Sequence, residues 1–191
     1  GHVGTSIFEG DRLKTKESGK VEVTFLDGSV VFLGNDSEIE FLNQNDNKKK
    51  SSLFLFFGSL FNSVKKGASY EVETVHALAT VKGTEFSVKS DEMQMEVAVF
   101  SGSVIVQNEA GKQRVSKKKK AIVSSGTKPK VVKLTQQELE EEKINNVDLN
   151  NFIDTNIPSN LSKNKWIEFS GTIKDEFGET VYKQLSLSIK A

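Results

Sequence analysis

The chain has 191 residues, 36% of them hydrophobic, which suits one ordinary buried core with an appendage. Its 26 basic and 26 acidic side chains cancel, so no strong overall field draws it to nucleic acid or to an anionic membrane. The lack of cysteine excludes disulfides, thiolate metal sites and cysteine nucleophiles, and no run approaches the roughly 20 apolar residues of a membrane helix.

His2 follows Gly1 in the manner of an appended start and is set aside. From Val3 to about Leu134 short alternating segments are separated by Gly, Asn, Asp and Lys clusters, which predicts an all-β module, a roll or solenoid-like stack of short antiparallel strands. Val21, Val23 and Phe25 share one face of the first clear strand. Asp27-Gly28 then predicts a hairpin with a primed turn into Val30–Leu33. Ile39 and Phe41 mark another strand, and Asn43 to Ser52, with Lys48, Lys49 and Lys50, reads as a solvated loop. Leu53-Phe54-Leu55-Phe56-Phe57 is apolar on both faces, so both must be covered: one by the roll, the other by the C-terminal segment, any exposed remainder being an association surface. Gly58 is expected to open a new turn and strand through Leu60, Phe61 and Val64, ended by Lys65-Lys66-Gly67.

After Tyr70, Val72 and Thr74 comes the stretch around which the rest is arranged, Val75 to Val88. Ala77, Ala79 and Val81 face one way, Leu78 and Thr80 the other, and Phe86 and Val88 resume the alternation beyond Gly83. Gly83 is expected to supply a tight corner, and His76 to be a half-buried strand residue without metal-ligand company. Ser90-Asp91-Glu92 turns the chain into Met95, Val97 and Val99. Gly102 precedes Val104-Ile105-Val106, Asn108 to Lys112 closes that unit, and two short strands follow near 121–123 and 131–134.

The character changes at Thr135. Thr135-Gln136-Gln137-Glu138 has the spacing of a capping box and Leu134 with Leu139 that of a hydrophobic staple, so a helix is predicted over about 135–146, with Leu139 and Ile144 inward and its glutamates solvated. A linker containing Pro158 leads to an alternating pair predicted as a hairpin over about 166–190. The division is thus a β module over 1–134 and an extension over 135–191.

Acid–base chemistry finds only dispersed carboxylates, such as Asp11, Asp27, Glu85 and Asp91, near turns, and no phosphate loop or nucleophile elbow appears. No catalytic residue, cofactor or metal is therefore expected, and Asp27, Gly28, Gly83 and Gly102 are read as structural turns. Lys117-Lys118-Lys119-Lys120, with Lys112 and Arg114 before it, is the sharpest charge feature, a solvated loop or a patch for an anionic partner.

Four segments in order, Glu9 to Thr15, Val21 to Ser29, Val81 to Val88 and Val97 to Val106 with Gly102, resemble the FecR domain over about residues 3–134. The resemblance implies a non-enzymatic periplasmic or cell-surface module that works in cell-envelope signalling by binding another envelope protein. An export or anchoring segment would then precede Gly1. In the family's best-known members a membrane helix joins this domain to a segment that regulates a sigma factor; other members are secreted or lipid-anchored. The alternative is a secreted or lipid-anchored surface protein that binds an anionic glycan or host ligand through the basic residues.

Overall fold

The computed structural model describes residues 9–17, 19, 21–25, 27–42, 50–147, 166–174 and 180–190. In chain order the strands are β1 Arg12–Lys14, β2 Val21–Thr24, β3 Val30–Leu33, β4 Glu38–Phe41, β5 Lys50–Ser63, β6 Ser69–Glu73, β7 Leu78–Lys82, β8 Glu85–Ser90, β9 Gln94–Ser101, β10 Ser103–Asn108, β11 Gly111–Ser116, β12 Lys119–Ser124 and β13 Lys130–Lys133. Helix α1 Gln136–Val147 and the pair β14 Trp166–Lys174 and β15 Thr180–Lys190 follow.

Backbone pairing forms two layers. The first runs β1-β4-β5-β6-β7-β10-β11 and the second β14-β15-β2-β3-β5-β8-β9-β12-β13, so that β5 belongs to both. The structure is mostly β, as expected, but the pairing is mixed. Lys50–Phe54 of β5 runs parallel to Ser69–Glu73 of β6. The physical reason is that β5 leaves the first layer before it ends, and the chain comes back to that layer beside the start of β5, the crossover a parallel pair requires.

Alternation places one face of each layer in a common core. Ile39, Leu53, Leu55, Tyr70, Val72, Ala79, Val81, Val104 and Val106 point in from the first, and Val23, Val31, Leu60, Phe86, Val88, Met95, Val97 and Ala121 from the second. Burial of each larger side chain contributes about 1.5–3 kcal/mol. Tyr70 sets its ring edge-on to Phe25, at 5.8 Å, and to Phe86, at 6.3 Å.

The chain changes layer at small residues, and these crossings stack in two columns. In one, Thr15 Oγ1 donates to the Gly34 carbonyl (2.6 Å), the Thr15 amide donates to the Ser37 carbonyl (2.9 Å), and the Gly34 amide donates to Ser59, beside Gly58 in β5 (2.8 Å). The other holds the Lys66-Gly67 turn, Gly83 and Gly102. A Cβ on Gly83 would lie 2.8 Å from the Lys66 Cα, and one on Gly102 would lie 2.8 Å from Thr84 Oγ1. Both glycines have positive φ, so the expected corner at Gly83 is present and its cause is close backbone approach. The Lys117 amide continues this column by bonding the Gly102 carbonyl at 3.2 Å.

Several expectations need correction. Gly58 does not open a new strand: β5 passes through it unbroken, with φ at +98°, and exchanges β4 and β6 for β3 and β8 as neighbours. The polar segment read as a loop to Ser52 yields to β5 at Lys50, because the parallel pairing with β6 extends that far. Asp27-Gly28 does turn the hairpin, but only Gly28 of the two has positive φ (+78°). Its amide bonds the Phe25 carbonyl and the Phe25 amide bonds the Ser29 carbonyl, each at 2.8 Å, which is a turn closed by a left-handed glycine bulge rather than a primed turn. Strand β11 was not foreseen, since its alternation rests on one buried apolar residue, Val115, among polar ones. His76 is not a half-buried strand residue: it is 5% exposed and lies in the turn between β6 and β7.

The helix begins as its sequence dictates. The Thr135 amide donates to the Glu138 carboxylate (2.7 Å) and the Glu138 amide to Thr135 Oγ1 (3.2 Å). The predicted linker, residues 148–165, lies outside the described residues. β15 continues the second layer by pairing antiparallel with β2, Leu187 opposite Val23.

Candidate interaction surfaces

The apolar run in β5 divides by a two-residue period as far as Phe56, and an irregularity in its pairing with β4, between Glu38 and Ile39, turns Phe57 outward. Leu53 and Leu55 enter the core, while Phe54 and Phe56 are half-buried on the outer face with their rings 4.7 Å apart, and Phe57 is exposed. Of the C-terminal segment expected to cover this face, helix α1 packs instead on the second layer. The cover comes from β1, whose Arg12 guanidinium sits 4.3 Å over the Phe56 ring and whose Lys14 Nζ stands 5.2 Å from that of Phe57. Carboxylates of β4 hold both cations: Arg12 Nε meets Glu40 at 2.9 Å and Lys14 meets Glu38 at 2.9 Å.

On the outer face of the second layer Phe61, Ala98, Phe100 and Leu139 form a small separate cluster, with Phe32 and Leu134 against it. Leu139 brings α1 onto these rings. Glu142, three residues on, pairs with Lys120 of β12 and with Lys89 of β8 (3.0 Å), and Lys120 also meets Glu96 of β9 at 2.9 Å. Glu142 is therefore not on a solvated face, as the sequence suggested. Burial pushes the Glu142 carboxyl up, but the hydrogen bonds from Lys120 and Lys89 outweigh it and hold the group below its ordinary 4.5. Burial likewise pulls Lys120 down, and its bonds to Glu142 and Glu96 carry it above its ordinary 10.5.

The basic residues do not form one loop. Lys112 and Arg114 are exposed on β11, the last strand of the first layer, with Arg114 donating to Ser103 Oγ at 3.1 Å. Lys117 and Lys118 are exposed in the turn between β11 and β12, where Lys118 takes a positive φ of 62°. Lys119 and Lys120 are in β12, and Lys120 is spent on the helix. The sequence grouping missed Lys128, Lys130 and Lys133, which the β12–β13 hairpin returns to the same side. The available signal was the run of residues 110–137, which holds no Asp or Glu.

A groove of about 500 Å³ is lined by Glu73, His76, Leu78, Gln107, Glu109 and Ser125 among others. Its histidine is held in place by both ring nitrogens. His76 Nδ1 is 2.7 Å from Ser125 Oγ and Nε2 is 2.8 Å from the Asp91 carbonyl, so both ring nitrogens are engaged in tying the turns after β6, β8 and β12 together. Asp91 is held below the usual carboxylate range by the Gln94 and Met93 amides and keeps its own turn closed. Among the described residues no group of three or more His, Asp or Glu side chains is placed to hold a metal.

Two β layers joined by one shared strand, crossings stacked at glycine and hydroxyl residues, and a helix clasped outside define a two-layer β roll. The model of the family described as "FecR protein" matches residues 11–105, and these residues are a FecR domain. The matched span is shorter than the 3–134 read from the sequence; β11 to β13 extend the same layers beyond it. No curated protein matches the chain. Two crystal structures of a "putative anti-sigma factor" from Parabacteroides distasonis ATCC 8503 are similar, each with a TM-score of 0.59 at 21% identity over 68% of this chain. The chain spans 62% and 63% of the length of those two.

Proposed function

We propose that this protein is a non-enzymatic, extracytoplasmic interaction module of cell-envelope signalling, in which the roll is a rigid scaffold and the C-terminal pair presents a docking edge. The FecR domain over 11–105 carries this reading, and the fold likeness to an anti-sigma factor supports it. β14 is nine residues long and, among the described residues, pairs on one side only, with β15. An open edge of that length accepts an added strand, main-chain hydrogen bonds supplying affinity and alternate side chains the choice of partner. No helix among the described residues is long and apolar enough to cross a membrane.

The test is fractionation of the native full-length product, with its intact mass and protease accessibility measured before and after the outer membrane is opened. A product in the envelope fraction, with its FecR domain cleaved only after opening, supports the reading. A product confined to the cytosol sinks it.

A further inference from the structure

Positive charge is segregated in this neutral chain. Residues 110–137 hold nine Lys and Arg side chains and no Asp or Glu, so the rest of the chain carries an equal excess of negative charge. The segment builds β11, β12 and β13. Of its cations only Lys120 is ion-paired among the described residues. Lys119 and Lys133 stand directly opposite each other across β12 and β13, a like-charge pair that costs stability where nothing neutralises it.

Topology puts the exposed cations on one rim. β11 ends the first layer and β13 ends the second, and a Cβ at Gly111 of β11 would lie 3.1 Å from the side chain of Lys128, in the turn leading into β13, so β11 meets that turn. Lys112, Arg114, Lys117, Lys118, Lys128 and Lys130 are all exposed along it. The chemistry of the rim selects the partner. Residues 110–137 contain no aromatic ring for a sugar or a base to stack on, and lysines outnumber the single arginine whose fork would grip one fixed anion. Ammonium groups spread along an edge match a plane of diffuse negative charge.

We propose that the β11–β13 rim is a peripheral contact for an anionic phospholipid bilayer, which orients the roll with its acidic remainder away from the membrane. Such contacts add up from individual lysines near the surface and fade within a Debye length.

The full chain is tested by co-sedimentation with vesicles of phosphatidylglycerol and phosphatidylcholine, or of phosphatidylcholine alone, at low and high salt. Binding to the anionic vesicles should be about 100-fold tighter at low salt and vanish at high salt. The variant Lys117→Gln/Lys118→Gln/Lys130→Gln/Lys133→Gln, which alters exposed side chains only and should keep the wild-type circular dichroism, should lose about 100-fold. The control Lys16→Gln/Lys143→Gln should lose almost nothing. Equal binding to both vesicles, or a quadruple variant that binds like wild type, overturns the proposal. So does capture by a soluble sulfated polysaccharide without vesicle binding, which assigns the rim to a glycan.

Discussion

Gly58 and Ser37 touch backbone to backbone where β5 changes layer: a Cβ on Gly58 would stand 2.5 Å from the Ser37 Cα, and Ser37 Oγ accepts the Ser59 amide at 2.9 Å. Gly58 also has φ at +98°, which L side chains rarely adopt. Gly58→Ala therefore combines backbone strain with a steric clash and should lower stability by about 2–4 kcal/mol. Urea unfolding measures this; a loss under about 1 kcal/mol would mean that the crossing column yields easily.

The helix clasp depends on pH in a defined direction. Glu142 has a lowered folded-state pKa, so its contribution is complete above its ordinary 4.5 and fades as pH falls through the lowered value. Lys120 has a raised one, so its contribution is complete below 10.5 and fades only as pH rises through the raised value. Docking should thus be level between these limits and loosen at the acidic end. Hydrogen exchange over residues 136–143 against pH checks this, and Glu142→Gln should remove the acidic limb and weaken protection at neutral pH. Unchanged protection in that variant would leave Leu139 as the main tether.

Arg12 acts as a lid on aromatic surface. Arg12→Ala removes the guanidinium over Phe56 and the contact with Glu40, both partly exposed, so stability should fall by no more than about 1 kcal/mol. The larger effect should be on association, because Phe56 loses its cover between Phe54 and the already exposed Phe57. Sedimentation velocity should show concentration-dependent self-association in the variant; a strictly monomeric variant would show that the cover is dispensable.

The parts of the fold that follow from local chemistry were legible. The alternation of Ala77, Ala79 and Val81 states which face is buried, and Thr135 with Glu138 states where the helix starts. What escaped depends on distant residues. Gly58 reads as a break because glycine usually ends a strand, yet here four strands pair along β5 and hold it continuous. His76 gave no sign of burial, since its partners Asp91 and Ser125 are 15 and 49 residues away. The basic surface was half visible: Lys112 to Lys120 stand out as a run, whereas Lys130 and Lys133 join them only through the β12–β13 register.

Strand β5 also dictates an order of events for a chain that emerges N-terminus first into the compartment where it folds. It emerges after its neighbours β3 and β4 but before β6 and β8, so along its whole length one flank waits for residues up to Ser90. During that interval its phenylalanines and leucines face water beside an unpaired backbone, the arrangement most prone to join another nascent copy. A chain halted between the emergence of Ser63 and that of Ser90 is the form most exposed to such association.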